Sequence, residues 1–346
     1  MPGFYSQSEP AALFFRAMRF LVTGGTGFVG GVLARQLLAA GHSIDVVARS
    51  PAKAAGLAGP GVTVHAGDVT DKESLRRPMA GADGVFHVAG WYKIGLRDPK
   101  AAIDINVNGT RNVLEVMRDS GVKKGVYTST LAVNSDTNGR VVDETYEFTG
   151  RHLSLYDQTK ADAHAIAESF SAAGLPLVIV QPGLVYGPGD TSSVRSTFVQ
   201  YLLRKLPLIP KKTAFAWAHV DDIARGHLLA MDRGAPGRNY FLAGPVHTLE
   251  EALEIAQSIT GIPAPRRRAS PSFLKTVAAV MSVVERVVPV PPDYTSEGLR
   301  EIAGTTYVGS GARARAELGW QARPLREGLT ETLRQEMTLL GMSPRF

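Results

Sequence analysis

The segment Phe20-Leu21-Val22-Thr23-Gly24-Gly25-Thr26-Gly27-Phe28-Val29-Gly30 constrains this chain more than any other. An apolar run ends at Thr23, four glycines follow within seven residues, and an apolar helical pattern begins at Phe28. A plain strand-to-helix turn needs about one glycine. Four at this junction permit a tight turn and a close approach of backbone to a ligand. The helix start beyond them presents N–H groups and the positive end of the helix dipole. The loop therefore reads as a cradle for a pyrophosphate, between the first strand and first helix of a parallel sheet.

The alternation continues downstream. Residues 19–22, 44–48, 62–65, 84–88, 125–129 and 177–180 read as strands, and residues 28–40, 101–120 and 156–173 as helices. This spacing predicts a parallel sheet covered on both faces, whose strands are apolar runs because neither side meets water. The expected class is α/β: a doubly wound Rossmann-type parallel sheet with a smaller, interleaved C-terminal substrate lobe. Residues 18–181 are expected to form the dinucleotide-binding domain. Beyond Pro182 proline and glycine become frequent. Residues 182–346 are therefore expected to form mainly the substrate lobe, with a stretch near 215–245 returning to the first domain. Residues 1–17 read as a disordered extension.

Composition excludes several classes. The absence of cysteine removes disulfides, thiolate metal sites and cysteine nucleophiles, and suits a cytoplasmic protein. His219 and His227 lie without a carboxylate pattern, so no metal site is expected. The net charge of +6 comes from scattered residues, with Arg266-Arg267-Arg268 the densest run. That is no nucleic-acid module; the charge suits an anionic ligand such as a phosphate-bearing cofactor. No stretch reaches the ~20 apolar residues of a membrane span. The nearest, residues 273–288, carries Lys275, Glu285 and Arg286 and reads as an amphipathic lobe helix.

The spacing Thr23-Gly24-x-x-Gly27-x-x-Gly30 resembles the extended short-chain dehydrogenase/reductase family, the NAD-dependent epimerase/dehydratase-like proteins, and within it the dihydroflavonol-reductase-like group. The resemblance runs from about residue 18 to about residue 335. It implies a dinucleotide held by Gly24, Thr26, Gly27, Phe28 and Val29. It also implies an adenine contact at Asp68 and Val69, a turn or helix cap being the alternative for Asp68. Val88, Ala89, Thr128 and Ser129 would line the cofactor, and Pro182, Gly183 and Val185 the nicotinamide. His87 reads as a packed core histidine. An NAD site usually closes the second strand with an acid. Here Ala48 stands at that place, Asp45 comes too early, and Arg49 follows. Arginine pairs with a 2′-phosphate, so NADP(H) is favoured, with NAD(H) the alternative.

Tyr156 and Lys160 are four apart on a helix and share a face. An ammonium beside a phenol lowers its pKa from about 10, which suits Tyr156 to pass a proton. By resemblance Lys160 also holds the nicotinamide ribose. The resemblance places the third catalytic hydroxyl at Thr130, with Ser129 the alternative. Asn106 reads as structural or as a proton relay, and Asp221 and Asp222 as helix caps. Trp91, Tyr92, Leu131 and Tyr186, with Phe198, Phe215 and Trp217, form an expected apolar wall for substrate; Arg195 is a candidate diphosphate clamp. Three readings follow. One is a reductase exchanging hydride between NADP(H) and a carbonyl or alcohol of a small hydrophobic molecule. The others are a nucleotide-sugar epimerase or dehydratase with tightly bound NAD, and a dinucleotide sensor without catalysis. Arg49 and the apolar wall favour the first. The resemblance further implies a homodimer through residues 101–120 and 156–173.

Overall fold

The computed structural model describes residues 17–95, 99–344 and 346, so the expected extension, save Ala17, lies outside the described residues. The first half runs β1 (Arg19–Thr23), α1 (Phe28–Ala39), β2 (Ser43–Ala48), β3 (Val62–Ala66), α2 (Lys72–Met79), β4 (Gly84–His87), α3 (Lys100–Ala102), α4 (Gly109–Asp119), β5 (Gly125–Thr128), α5 (Leu155–Ala172) and β6 (Leu177–Pro182). The second half runs β7 (Leu184–Tyr186), α6 (Ser193–Leu202), β8 (Ile209–Pro210), β9 (Ala214–His219), α7 (Val220–Arg233), β10 (Asn239–Leu242), β11 (Val246–Thr248), α8 (Leu249–Thr260), β12 (Arg268–Ala269), α9 (Pro271–Val284), α10 (Ser296–Glu301), β13 (Thr306–Tyr307) and α11 (Leu325–Leu339).

Seven strands form one parallel sheet in the order β10-β6-β5-β4-β1-β2-β3. The chain starts at the middle, moves out to β3, and returns across β1 to β4. The switch leaves a crevice at the C-terminal ends of β1 and β4, where an open α/β sheet binds its ligand. The continuous apolar runs follow from burial on both faces. Phe20, Val22, Val126, Val178 and Val180 pack with α1 and α7. Their neighbours Leu21, Tyr127, Leu177 and Ile179 pack on the other side with α2, α4 and α5. The outer edge of β10 is covered: Glu144 accepts from Phe241 N at 2.8 Å, and Arg313 donates to Asn239 O at 3.1 Å. Such cover keeps unpaired strand groups from recruiting another chain.

A second sheet is built on β9, which pairs with β7, β11 and β13. Within residues 215–245, β9 therefore belongs to this smaller sheet, while α7 packs on α1 and β10 extends the main sheet. The lobe has its own core, with Trp217 of β9 among residues of α6, α8 and α11. Gly183 joins the two units, because a Cβ there would lie 2.1 Å from Ala216 O. The helix expected over residues 101–120 is broken by a π-helical stretch at Ile103–Asn108. Among the described residues no helix is long and apolar enough to cross a membrane.

Candidate active site

The glycine loop emerges from β1 into the crevice. Gly24 has φ +73°, and a Cβ on it would lie 2.6 Å from Ala89 N. A Cβ at Gly30 would lie 2.1 Å from Gly24 O. No side chain fits at either position. Gly27 caps α1 without a side-chain bond, and the first turn carries no acid, so nothing negative competes with an anion at this helix start. Beneath the loop, His87 Nδ1 meets Thr23 Oγ1 at 2.8 Å and its Nε2 meets Thr110 Oγ1 at 3.1 Å. Burial pushes the His87 pKa down to about 3, so the ring is a neutral strut.

Beside the loop lies a cavity of about 370 Å³ lined by Thr26, Arg49, Ser50 and Lys53. It joins the helix start to the end of β2, and its lining holds two cations and no carboxylate. Asp45, the one acid of β2, is turned away and taken up by Arg19 at 2.6 Å and His65 at 2.5 Å. Asp68 Oδ1 accepts from Thr70 N at 3.0 Å, closing its own turn. Val69 is buried, and its side chain packs where a Cβ on Gly109 would fall.

Thr130, Tyr156 and Lys160 come together where β5 ends against α5. Ser154 caps α5, its hydroxyl accepting from Asp157 N at 3.1 Å. Tyr156 and Lys160 follow on one face. Burial raises the Tyr156 phenol pKa, and the nearby Thr130 hydroxyl, which accepts from Ala132 N at 3.2 Å, offsets only part of that shift. The ammonium of Lys160 contacts other groups: it donates to Thr128 O at 2.8 Å and Tyr127 Oη at 3.3 Å, and lies over the Tyr127 ring. Its burial lowers its pKa to about 7. Of the two adjacent hydroxyls, Ser129 is buried and bonded to His164 Nδ1 at 2.9 Å, whereas Thr130 faces Tyr156.

A model of the NAD dependent epimerase/dehydratase family matches residues 20–243. The chain belongs to this family. It is 31% identical over 322 residues to a putative dihydroflavonol 4-reductase of Synechocystis sp., an alignment covering 91% of this chain and 93% of that protein. It is 30% identical over 308 residues to sterol demethylase protein B of Methylococcus capsulatus, covering 87% and 93%. The crystal structure of gox2253 superposes with a TM-score of 0.81 at 29% identity, covering 94% of this chain and 99% of the other. The dTDP-glucose 4,6-dehydratase DesIV of Streptomyces venezuelae, with NAD and TYD bound, gives 0.75 at 24% identity, covering 94% and 98%, and shows the shared fold. The protein is an NAD(P)-dependent oxidoreductase of the extended short-chain dehydrogenase/reductase type.

This member departs from the sequence expectation on the substrate side. Tyr186 is 1% exposed in the lobe core beside Phe198 and Trp217, and Leu131 is 3% exposed in a cluster with Phe241. Neither has surface to offer a substrate: Tyr186 fills the lobe core and Leu131 the joint between the two sheets. Trp91 and Tyr92 remain partly or largely accessible, and Tyr92 Oη reaches Thr191 Oγ1 of the lobe at 2.9 Å. Arg195 is held through its Nε by Glu336 at 2.8 Å. Asn106 holds both backbone groups of Trp91, at 2.7 and 3.0 Å, and donates to Thr159 at 3.0 Å, which is structural work. The cap of α7 is His219, not the aspartates. Asp222 and, more distantly, Asp221 pair with Arg323, which also meets Glu331. Thr128 Oγ1 bonds His227 at 2.9 Å, and Pro182, Gly183 and Val185 line the step from β6 to β7.

The sequence reading also missed a group of acids behind Tyr156. Asp157 is buried and accepts from Tyr307 Oη at 2.9 Å. Glu301 of α10 presents a buried, unpartnered Oε1 toward the same place. Glu297 accepts from Gly95 N at 2.6 Å and from Leu155 N, tying α10 to the start of α5. Burial, with Glu297 nearby, raises Asp157 to about 7. A raised carboxyl contributes stability at low pH, present below its unfolded pKa near ~4 and lost as pH rises through about 7. Relative to Asp157→Asn, the wild type should therefore lose melting temperature between pH ~4 and ~7. A constant difference across that window would contradict the assignment.

Proposed function

We propose that the protein reduces a carbonyl group on a small hydrophobic molecule, or oxidises the corresponding alcohol, with NADP(H) as cofactor. The observation that carries this reading is the cavity of Thr26, Arg49, Ser50 and Lys53 beside the glycine loop. Its cations and hydroxyls suit a 2′-phosphate, where an acid would suit the bare ribose of NAD. Gly24, Gly27 and Gly30 leave room for the pyrophosphate backbone, and the bound dinucleotide supplies or accepts the hydride.

The remaining chemistry falls to this chain. Tyr156 is protonated at neutral pH, the more so because burial raises its pKa, and this is the state needed to donate to a carbonyl oxygen as it gains charge. The Thr130 hydroxyl beside the phenol is a second donor that shares that charge. Lys160, anchored on Thr128 O, adds positive potential and reaches toward the end of β4, where a Cβ on Gly90 would lie 3.9 Å from its Nζ. The chain's relatives named as reductases and 3-beta-hydroxysteroid dehydrogenases support this class. Arg195 is already engaged by Glu336, which supports a reductase over a nucleotide-sugar epimerase. We further propose a homodimer through α4 and α5.

Arg49→Ala with Lys53→Ala should weaken NADPH binding by about ten- to a hundredfold and leave NADH nearly unchanged. Equal losses for both cofactors, measured by fluorescence titration, would remove the basis for NADP(H). Tyr156→Phe should cut kcat by at least about a hundredfold with cofactor affinity retained; an unaltered kcat would exclude the phenol as the acid.

A further inference from the structure

The helix α9 is apolar on two faces. Leu274 and Ala278 are buried against Leu299 and Ala303. Phe273, Val280, Val283 and Val284 nevertheless face solvent, Phe273 at 54%, and Val287 in the following turn is 82% exposed. Phe273, Val280 and Val284 are seven and four apart, which places them on one stripe. A surface helix ordinarily shows polar residues there; the single charge within α9 is the exposed Lys275.

The surroundings are basic. Arg266 and Arg267 are exposed just before α9, and Arg286 just after it. Lys211 and Lys212 are exposed, and the backbone of Lys211 bonds to Ala269 O at 2.9 Å beside the helix start. The nearby acids are turned inward or engaged: Glu285 accepts from Ser296 N at 2.8 Å and its hydroxyl at 2.7 Å, and Asp293 takes the Ser196 hydroxyl at 3.1 Å. An exposed apolar stripe bordered by cations has the character of a helix lying in the headgroup layer of an anionic bilayer. A protein partner with the same pattern would need an acidic rim around an apolar groove; a bilayer supplies both over any area.

We propose that α9 docks the protein on the surface of an anionic lipid bilayer. The helix lies on the membrane and does not span it. The docked face stands next to the chemistry, since α9 packs on α10, whose Glu297 holds the backbone of Leu155 beside Tyr156. This proposal does not depend on the reaction assigned above.

Flotation of the full chain with phosphatidylcholine–phosphatidylglycerol vesicles tests it, with phosphatidylcholine vesicles alongside. The bound fraction should be about tenfold higher on the anionic vesicles and fall in high salt. Combining Phe273→Ser, Val280→Ser and Val287→Ser should lower it about tenfold at an unaltered melting temperature. Charge reversal at Lys211 and Lys212 should lower anionic binding with the stripe intact. The proposal is overturned by failure to bind anionic vesicles or by undiminished binding of the triple variant. It is also overturned if that variant converts a solution dimer to monomer, which would make the stripe an interface between copies.

Discussion

The backbone of Gly24 lies so close to that of Ala89 that nothing larger than hydrogen fits between them. Much of the site depends on that contact. It presses the glycine loop onto the end of β4, and the neutral His87 ring ties both to Thr110 of α4. From Ala89 the chain passes to Trp91, whose backbone is clasped by Asn106, and Asn106 in turn bonds Thr159 between Tyr156 and Lys160. The π-helical stretch that holds Asn106 serves this path, shifting the helix register so that a buried amide points between two layers. The glycine loop and the helix bearing Tyr156 and Lys160 are thus linked by packed backbone and hydrogen bonds.

Electrostatics complete the arrangement. Around Tyr156, burial lowers the Lys160 pKa and raises those of Asp157 and Glu301. Burial dominates each of these shifts. The spacing of Tyr156 and Lys160 by itself points only to the ammonium acting on the phenol. In the fold, the ammonium is spent on Thr128 O and Tyr127, and the Thr130 hydroxyl is the group beside the phenol that opposes the effect of burial.

What could be read from the sequence was what local spacing encodes. The glycine loop, the order of strands and helices, Arg49 at the end of β2, and the Tyr156–Lys160 pair each lie within one turn or one strand-to-helix junction. Lys53 went unnoticed because only folding brings it round to the mouth beside Thr26. Tyr307 and Asp157 are separated by 150 residues, and no periodicity announces that they meet. The aromatic residues of the lobe failed as a pocket for a related reason: Tyr186, Phe198 and Trp217 have the composition of a binding wall and of a core alike, and only burial distinguishes the two. The resemblance favours Thr130 over Ser129 without giving a physical reason; His164, four residues past Lys160, engages Ser129.

The most direct test of the account is the balance of cofactor against product. Purified protein is mixed with NADPH and a panel of hydrophobic ketones and aldehydes, and both oxidised cofactor and alcohol are quantified. The account predicts one NADP⁺ released for each alcohol formed, with the cofactor exchanging freely. A dinucleotide that stays bound through dialysis and returns its hydride, with sugar nucleotides converted and no net oxidation, would contradict it.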